Sequence, residues 1–221
     1  MIILNESEYK ELLKETETIE KDQSGEKVLK YTDGKYMKLF RRKRLFSSAL
    51  IYPYWRRFVR NAHSLKKKGI PTIDKIESVV RVPHIKKTGV VYLPLKGDTL
   101  KFLIVNKNAP SNLPEQFGEF VSGLHHKGIY FSSLHLGNVV MTASGEMGLI
   151  DISDMRSVPF QIPLFTRKTN LDYLFRCRQG MKLFTDSEQN EFIDAYLKNT
   201  PHAFKKQLTE FLDRQLKKIK K

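Results

Sequence analysis

Cysteine is almost absent from this chain, with Cys177 the single example among 221 residues. One thiol cannot close an intramolecular disulfide, which excludes the stapled scaffolds of small secreted domains and suits a reducing compartment. Long apolar runs are missing too, and no stretch approaches the roughly 18 residues that span a bilayer. The opening MIILNESEYKELLKETETIEK turns acidic after four residues, without the basic flank and apolar core of a secretory signal. A cytoplasmic protein, neither secreted nor integral to the membrane, is expected. Acid is in short supply: 24 Asp and Glu stand against 39 Lys and Arg, a formal net charge of +15. That imbalance draws the chain towards anionic partners, whether nucleic acid, acidic lipid headgroups or phosphorylated substrates. The excess sits in KLFRRKR (38–44), RRFVR (56–60), KKK (66–68) and RQLKKIKK (214–221), runs that serve equally as solvated faces or as binding patches.

What is present supports a real core, since 40% of residues are hydrophobic and 11% aromatic, too many for a disordered chain. No internal repeat or low-complexity segment is visible. The stretch VLKYTDGKYMKLF predicts strands near 28–31 and 36–40 around Asp33-Gly34, a pair that supplies positive φ angles to a tight turn. YWRRFVRNAHSLKKKG spaces Trp55, Phe58, Val59, Ala62 and Leu65 as one face of a helix stopped by Gly69. IDKIESVV and GVVYLPL read as two more strands, the second running to a sharp turn at Gly97. A small sheet with one helix is therefore expected in the first hundred residues. Beyond Pro110, LPEQFGEFVSGLHHKG predicts a helix opened by Pro114 and closed by Gly128, with His125 and His126 complementing its dipole. A hairpin over NVVMTASGEMGLID turns at Ser144-Gly145, and helices follow near 168–179, 186–198 and 202–219. The fold class is α+β: a β-rich N-terminal lobe over 1–95 and a helical C-terminal lobe over 96–221.

One segment carries chemistry. FSSLHLGNVV (131–140) reads as a phosphotransferase catalytic loop with Ser133 where such loops carry Asp. In phosphoryl transfer the protein mainly positions groups and neutralises charge, so a phosphate-binding lysine, Mg2+ ligands and an acceptor-orienting carboxylate are the parts required. Asn138 and Asp151, thirteen residues apart across the hairpin, supply two oxygen ligands at neighbouring strand ends, the kind that Mg2+ combines with water and phosphate. Asp154 follows three residues later in LIDISD. The six histidines and single cysteine show no ligand spacing for a metal cluster.

In order along the chain, a strand with Lys38, a helix, GIPT, YLPLKGDTL, GLHHKGIYFSSLHLGN and GLIDISDMR resemble the Kdo/WaaP lipopolysaccharide kinases, and within that branch the bacterial proteins labelled toluene-tolerance proteins. The likeness covers roughly residues 18–158. It implies a bilobal protein-kinase-like fold binding ATP and Mg2+, and a sugar hydroxyl of a lipopolysaccharide core or related glycolipid as acceptor. A monomer is expected, with the basic surface making peripheral contact with the inner face of the cytoplasmic membrane. Lys38 takes the slot of the lysine on the nucleotide phosphates, Asn138 and Asp151 the metal-ligand slots, and Asn61 the helix position that usually holds a glutamate partner to that lysine. Gly25 is the only glycine in KDQSGEKV, where several are expected to cradle phosphate.

Ser133 and Asn61 depart from the family pattern. A hydroxyl is no general base at neutral pH, and His135 or Asp154 is then the group left to orient an acceptor, a neutral histidine being suited to it at pH 7. Losing a positioned base costs about 10²- to 10⁴-fold in rate, which slows a site without silencing it. Two readings follow: a phosphotransferase of anionic glycolipids or phosphorylated saccharides, and a pseudokinase serving as a binding module in envelope biogenesis. Nucleic-acid binding through FRRKRLF ranks last, since no RNP, zinc-finger or helix-turn-helix signature accompanies it.

Overall fold

The computed structural model describes residues 1–41 and 53–219. The stretches 42–52 and 220–221 fall outside it, and with them part of two basic runs and most of FRRKRLF. The chain divides into two compact units, Met1–Leu95 and Lys96–Lys221, and the class is mixed α+β.

The first unit is built on a six-stranded sheet in the order β1-β5-β6-β4-β3-β2. Its strands are β1 (Ile2–Ile3), β2 (Thr16–Asp22), β3 (Gly25–Tyr31), β4 (Tyr36–Arg41), β5 (Lys75–Val82) and β6 (Lys87–Leu93). All neighbours are antiparallel except β1 and β5. The β3–β4 turn uses one positive φ rather than two, at Gly34 (+83°), because Asp33 spends its carboxylate on the Lys35 amide (3.1 Å). Strand alternation sends Leu29, Met37, Leu39, Val80, Val82 and Val91 to one face, where they bury Tyr9 and pack Leu12 and Leu13. These last three belong to α1 (Glu6–Glu15).

That helix corrects the expectation of a single helix in this half. Its apolar face is sparse, but Asn5 and Glu8 form a reciprocal capping box at its start, satisfying two otherwise orphaned donors. The expected helix forms as α2 (Tyr54–Lys67), buries Phe58, Asn61, Ala62 and Leu65, and is followed by Gly69 at φ +65°. It covers the opposite sheet face, with the Phe58 ring 5.5 Å from Phe40 and 5.3 Å from Tyr92.

In the second unit five helices are described: α3 (Leu100–Val105), α4 (Leu113–His126), α5 (Leu164–Arg176), α6 (Asp186–Lys198) and α7 (His202–Ile219). Its core is aromatic, with Phe192 of α6 lying 5.3 Å from Phe117 of α4 and 6.2 Å from Phe175 of α5. The hairpin β9 (Val139–Met141) and β10 (Met147–Leu149) gains a third strand, β7 (Asp98–Thr99), and a separate pair joins β8 (Ile129–Phe131) to β11 (Met155–Ser157). These short strands around the hairpin were not expected from the sequence. Gly97 precedes β7 at φ +136°, and a Cβ there would lie 2.1 Å from the Met141 carbonyl oxygen, so strand approach and turn both require glycine. Among the described residues no helix is long and apolar enough to cross a membrane.

Candidate functional site

The β8–β11 ladder places Met155 opposite Phe131. The residues just outside that pair, Asp154 and Ser132, must therefore adjoin at the ladder's end. The Ser132 hydroxyl donates to Asp154 Oδ2 at 2.6 Å, and the Ser133 hydroxyl donates to Oδ1 of the same carboxylate at 3.0 Å. A carboxylate thus stands beside the position where the loop itself lacks one. Each oxygen has spent one acceptor site on a serine and retains another.

The loop that presents it is fixed from several sides. Asn170 of α5 donates its amide to the Phe131 carbonyl (2.6 Å), and the Leu136 amide donates to the Gln179 carbonyl (2.9 Å). Leu134 and Leu136 are fully buried plugs, while Ser133 and His135, which alternate with them, are half-buried. Asn138 closes the loop by donating from Nδ2 to the Ser133 carbonyl (3.0 Å). That bond assigns the amide nitrogen and leaves Oδ1 as the oxygen available to a ligand. The Ile150 amide donates to the Asn138 carbonyl, extending the β9–β10 ladder to the residue before Asp151. Asp151, exposed, takes a left-handed conformation (φ +52°, ψ 42°) and opens the turn Ile152–Asp154. A positive φ is uncommon for a residue with a side chain and is tolerated by Asp better than by most.

His135 is placed as a donor rather than a base. Its Nδ1 accepts the Gly137 amide at 3.1 Å, so in the neutral ring Nε2 carries the hydrogen. Burial pushes its pKa below the ordinary histidine value, with Lys101 adding to the shift and Asp151 and Asp154 opposing it. The ring is therefore neutral at pH 7, with its N–H at Nε2. Tyr173 lies close enough to Cys177 and Asp154 for both to raise its pKa, burial being the larger cause. His125 contradicts the helix-dipole expectation. It is fully buried and its pKa is lowered to about 3, chiefly by burial, so it carries no charge to set against the end of α4.

In the first unit Lys38 faces Val28 and Val90 across the ladder, and alternation puts it on the α2 side of the sheet, opposite Met37 and Leu39. Asn61 is 1% exposed on the inward face of α2. Gly25 opens β3 at φ +89°, and the turn before it is closed on itself: the Ser24 amide donates to Asp22 Oδ1 at 2.7 Å. Sequence reasoning passed over Lys87, whose buried side chain donates from Nζ to the Glu26 carbonyl at 2.6 Å, beside the turn of the β2–β3 hairpin. Burial lowers its pKa. The only signal for it was a lysine at the edge of an apolar strand.

Among the described residues no three His, Cys, Asp or Glu side chains converge as a metal site. Asn138 and Asp151 supply hard oxygen donors of the type magnesium takes, with phosphate and water completing the shell. No family model matches the sequence and no curated protein matches it.

Proposed function

We propose that the chain is a phosphotransferase of the lipopolysaccharide-kinase type, with a protein-kinase-like arrangement, whose acceptor-orienting carboxylate is Asp154 in place of the missing loop aspartate. The observation that carries this reading is the Asp154 carboxylate held by the Ser132 and Ser133 hydroxyls. In the transfer, the acceptor hydroxyl oxygen bonds the γ-phosphorus of a nucleoside triphosphate and the bond from phosphorus to the β–γ bridging oxygen breaks. The hydroxyl proton passes to Asp154. Asn138 and Asp151 would hold Mg2+, which neutralises phosphate charge in this chemistry. His135 donates from Nε2, and Lys38, Asn61 and Gly25 keep the nucleotide roles that the resemblance implies.

The acceptor class, a sugar hydroxyl of an anionic glycolipid or phosphorylated saccharide, and the cytoplasmic location rest on that resemblance and on the charge of +15. A second reading, a pseudokinase that binds without turnover, is favoured by the Ser24 amide. That group is spent on Asp22 and so does not face a phosphate.

The test is nucleotide binding by thermal shift with ATP and Mg2+, followed by turnover with lipopolysaccharide core acceptors. Asp154→Asn should lower turnover by about 10²- to 10⁴-fold, as loss of a positioned base does, while the nucleotide-induced shift persists. Ser133→Ala, which removes one of two donors to the carboxylate, should cost far less. Binding without turnover in the unaltered protein selects the pseudokinase, and an absence of nucleotide binding removes the phosphotransferase reading.

A further inference from the structure

Single exposed apolar side chains are ordinary on a protein surface, but Phe160 and Phe165 are 66% and 82% exposed within six residues of one another. Looseness does not explain their display. The Val158 amide donates to the Gly128 carbonyl (2.9 Å) and the Ile162 amide to the His125 carbonyl (3.0 Å). Ile162 itself is 2% exposed. The fully buried Arg167 grips the segment from below, Nε on the Ile162 carbonyl and Nη2 on Gln161 Oε1, both at 3.1 Å. Gly128 is needed for this approach, since a Cβ there would stand 2.3 Å from the carbonyl oxygens of both Val158 and Phe160. Two rings are thus held outward on a pinned backbone.

Along the chain the flanking charge has one sign. Between Asp154 and Asp172 the chain contains no acid, while Arg156 and Lys168 lie within that stretch beside the buried Arg167. Arg156 is exposed on β11, and exposed His126 and Lys127 come from the turn against which residues 158–162 run. We infer that this segment is a docking surface for an anionic lipid bilayer, with Phe160 and Phe165 entering the headgroup boundary and Arg156 and Lys127 facing lipid phosphates. A protein partner would tolerate acids along the rim, whereas an anionic surface penalises every one. Apolar insertion beside basic side chains is the combination that holds a peripheral protein to such a surface. The inference stands apart from phosphotransfer, since a pure binding module would dock in the same way.

The experiment is co-sedimentation of the full chain with vesicles of phosphatidylcholine alone or mixed with phosphatidylglycerol. Binding is expected on the mixed vesicles only, and release as salt screens the headgroups. The double variant F160S/F165S should partition at least about tenfold more weakly with its circular dichroism and thermal midpoint unchanged, and Arg156→Glu should weaken binding most at low salt. Unaltered sedimentation of the double variant, or equal binding to neutral vesicles, overturns the inference. So does self-association that the double variant abolishes while vesicles are ignored, which would make the face a contact between copies of this chain.

Discussion

At the C-terminal end of α4 a single histidine is satisfied without charge. His125 Nε2 lies 3.1 Å from Asn170 Oδ1, and because Asn170 donates its own amide to Phe131, that oxygen accepts and Nε2 carries the hydrogen. Nδ1, 2.8 Å from the Tyr196 hydroxyl, is then the acceptor. Burial first, and the neighbouring Arg167 guanidinium after it, oppose a proton added to Nδ1, and the folded pKa falls to about 3 from 6.5. Between these values the unfolded chain binds a proton that the folded chain refuses. Stability is therefore full above pH 6.5 and is lost as pH falls towards 3, by up to about 1.4 kcal/mol per pH unit for this one group. Urea unfolding at a series of pH values should show that slope, and His125→Gln, less stable at neutral pH, should show a flatter one. Equal slopes in the two proteins would rule the histidine out as its source. Residue identities alone exposed Ser133, Asn138 and Asp151, because their spacing sits on one loop and one hairpin. The bonds from Ser132 and Ser133 to Asp154 span 22 and 21 residues across a ladder of three-residue strands, and so short a ladder leaves no periodic trace.

Helix α4 contains two glycines whose surroundings are opposite. A Cβ on Gly118 would lie 2.4 Å from the Phe192 carbonyl oxygen and 3.0 Å from Ala195 Cβ, both on α6, whereas a Cβ on Gly123 would meet nothing within 4 Å. Alanine is favoured over glycine in a helix by about 1 kcal/mol. At Gly118 that gain is outweighed, because backbone on the facing helix cannot retreat as a side chain can, and overpacking costs about 1–3 kcal/mol. Gly123→Ala should raise the urea midpoint and Gly118→Ala should lower it. Two changes of the same sign would mean that the α4–α6 approach is not tight. The elements legible beforehand were those with strong period or punctuation: α2 with Gly69, α4 between Pro114 and Gly128, and the hairpin at Gly145. Among those missed, α1 and the β7, β8 and β11 strands depend on a capping box or on two or three ladder bonds, and are held mainly by what they pack against.

Across the molecule the charge ledger is lopsided, because pairing every one of 24 acids would still leave 15 of the 39 bases without an acid. The ion pairs present are largely solvent-facing, such as Lys10 with Glu6 and Lys14 with Glu11, each at 2.8 Å. Such pairs contribute about 0–1 kcal/mol apiece, and salt has little to remove from them. The repulsion among surplus bases acts over longer distances and is what salt relieves: the screening length shrinks from about 30 Å at 0.01 M to about 8 Å at 0.15 M. Folding concentrates that surplus, so screening favours the folded state. The thermal midpoint should rise between low and moderate sodium chloride by about 2–4 °C, the shift that roughly 1 kcal/mol produces in a chain of this size. The choice of anion then separates two causes. Diffuse screening depends on ionic strength alone, so chloride and phosphate at matched ionic strength should give the same curve. A phosphate curve lying well above both the chloride curve and a sulfate curve at the same ionic strength would place the stabilisation in a specific anion site instead, since sulfate shares the general stabilising effect of phosphate, and a midpoint that falls with salt would show that the surface pairs outweigh the surplus.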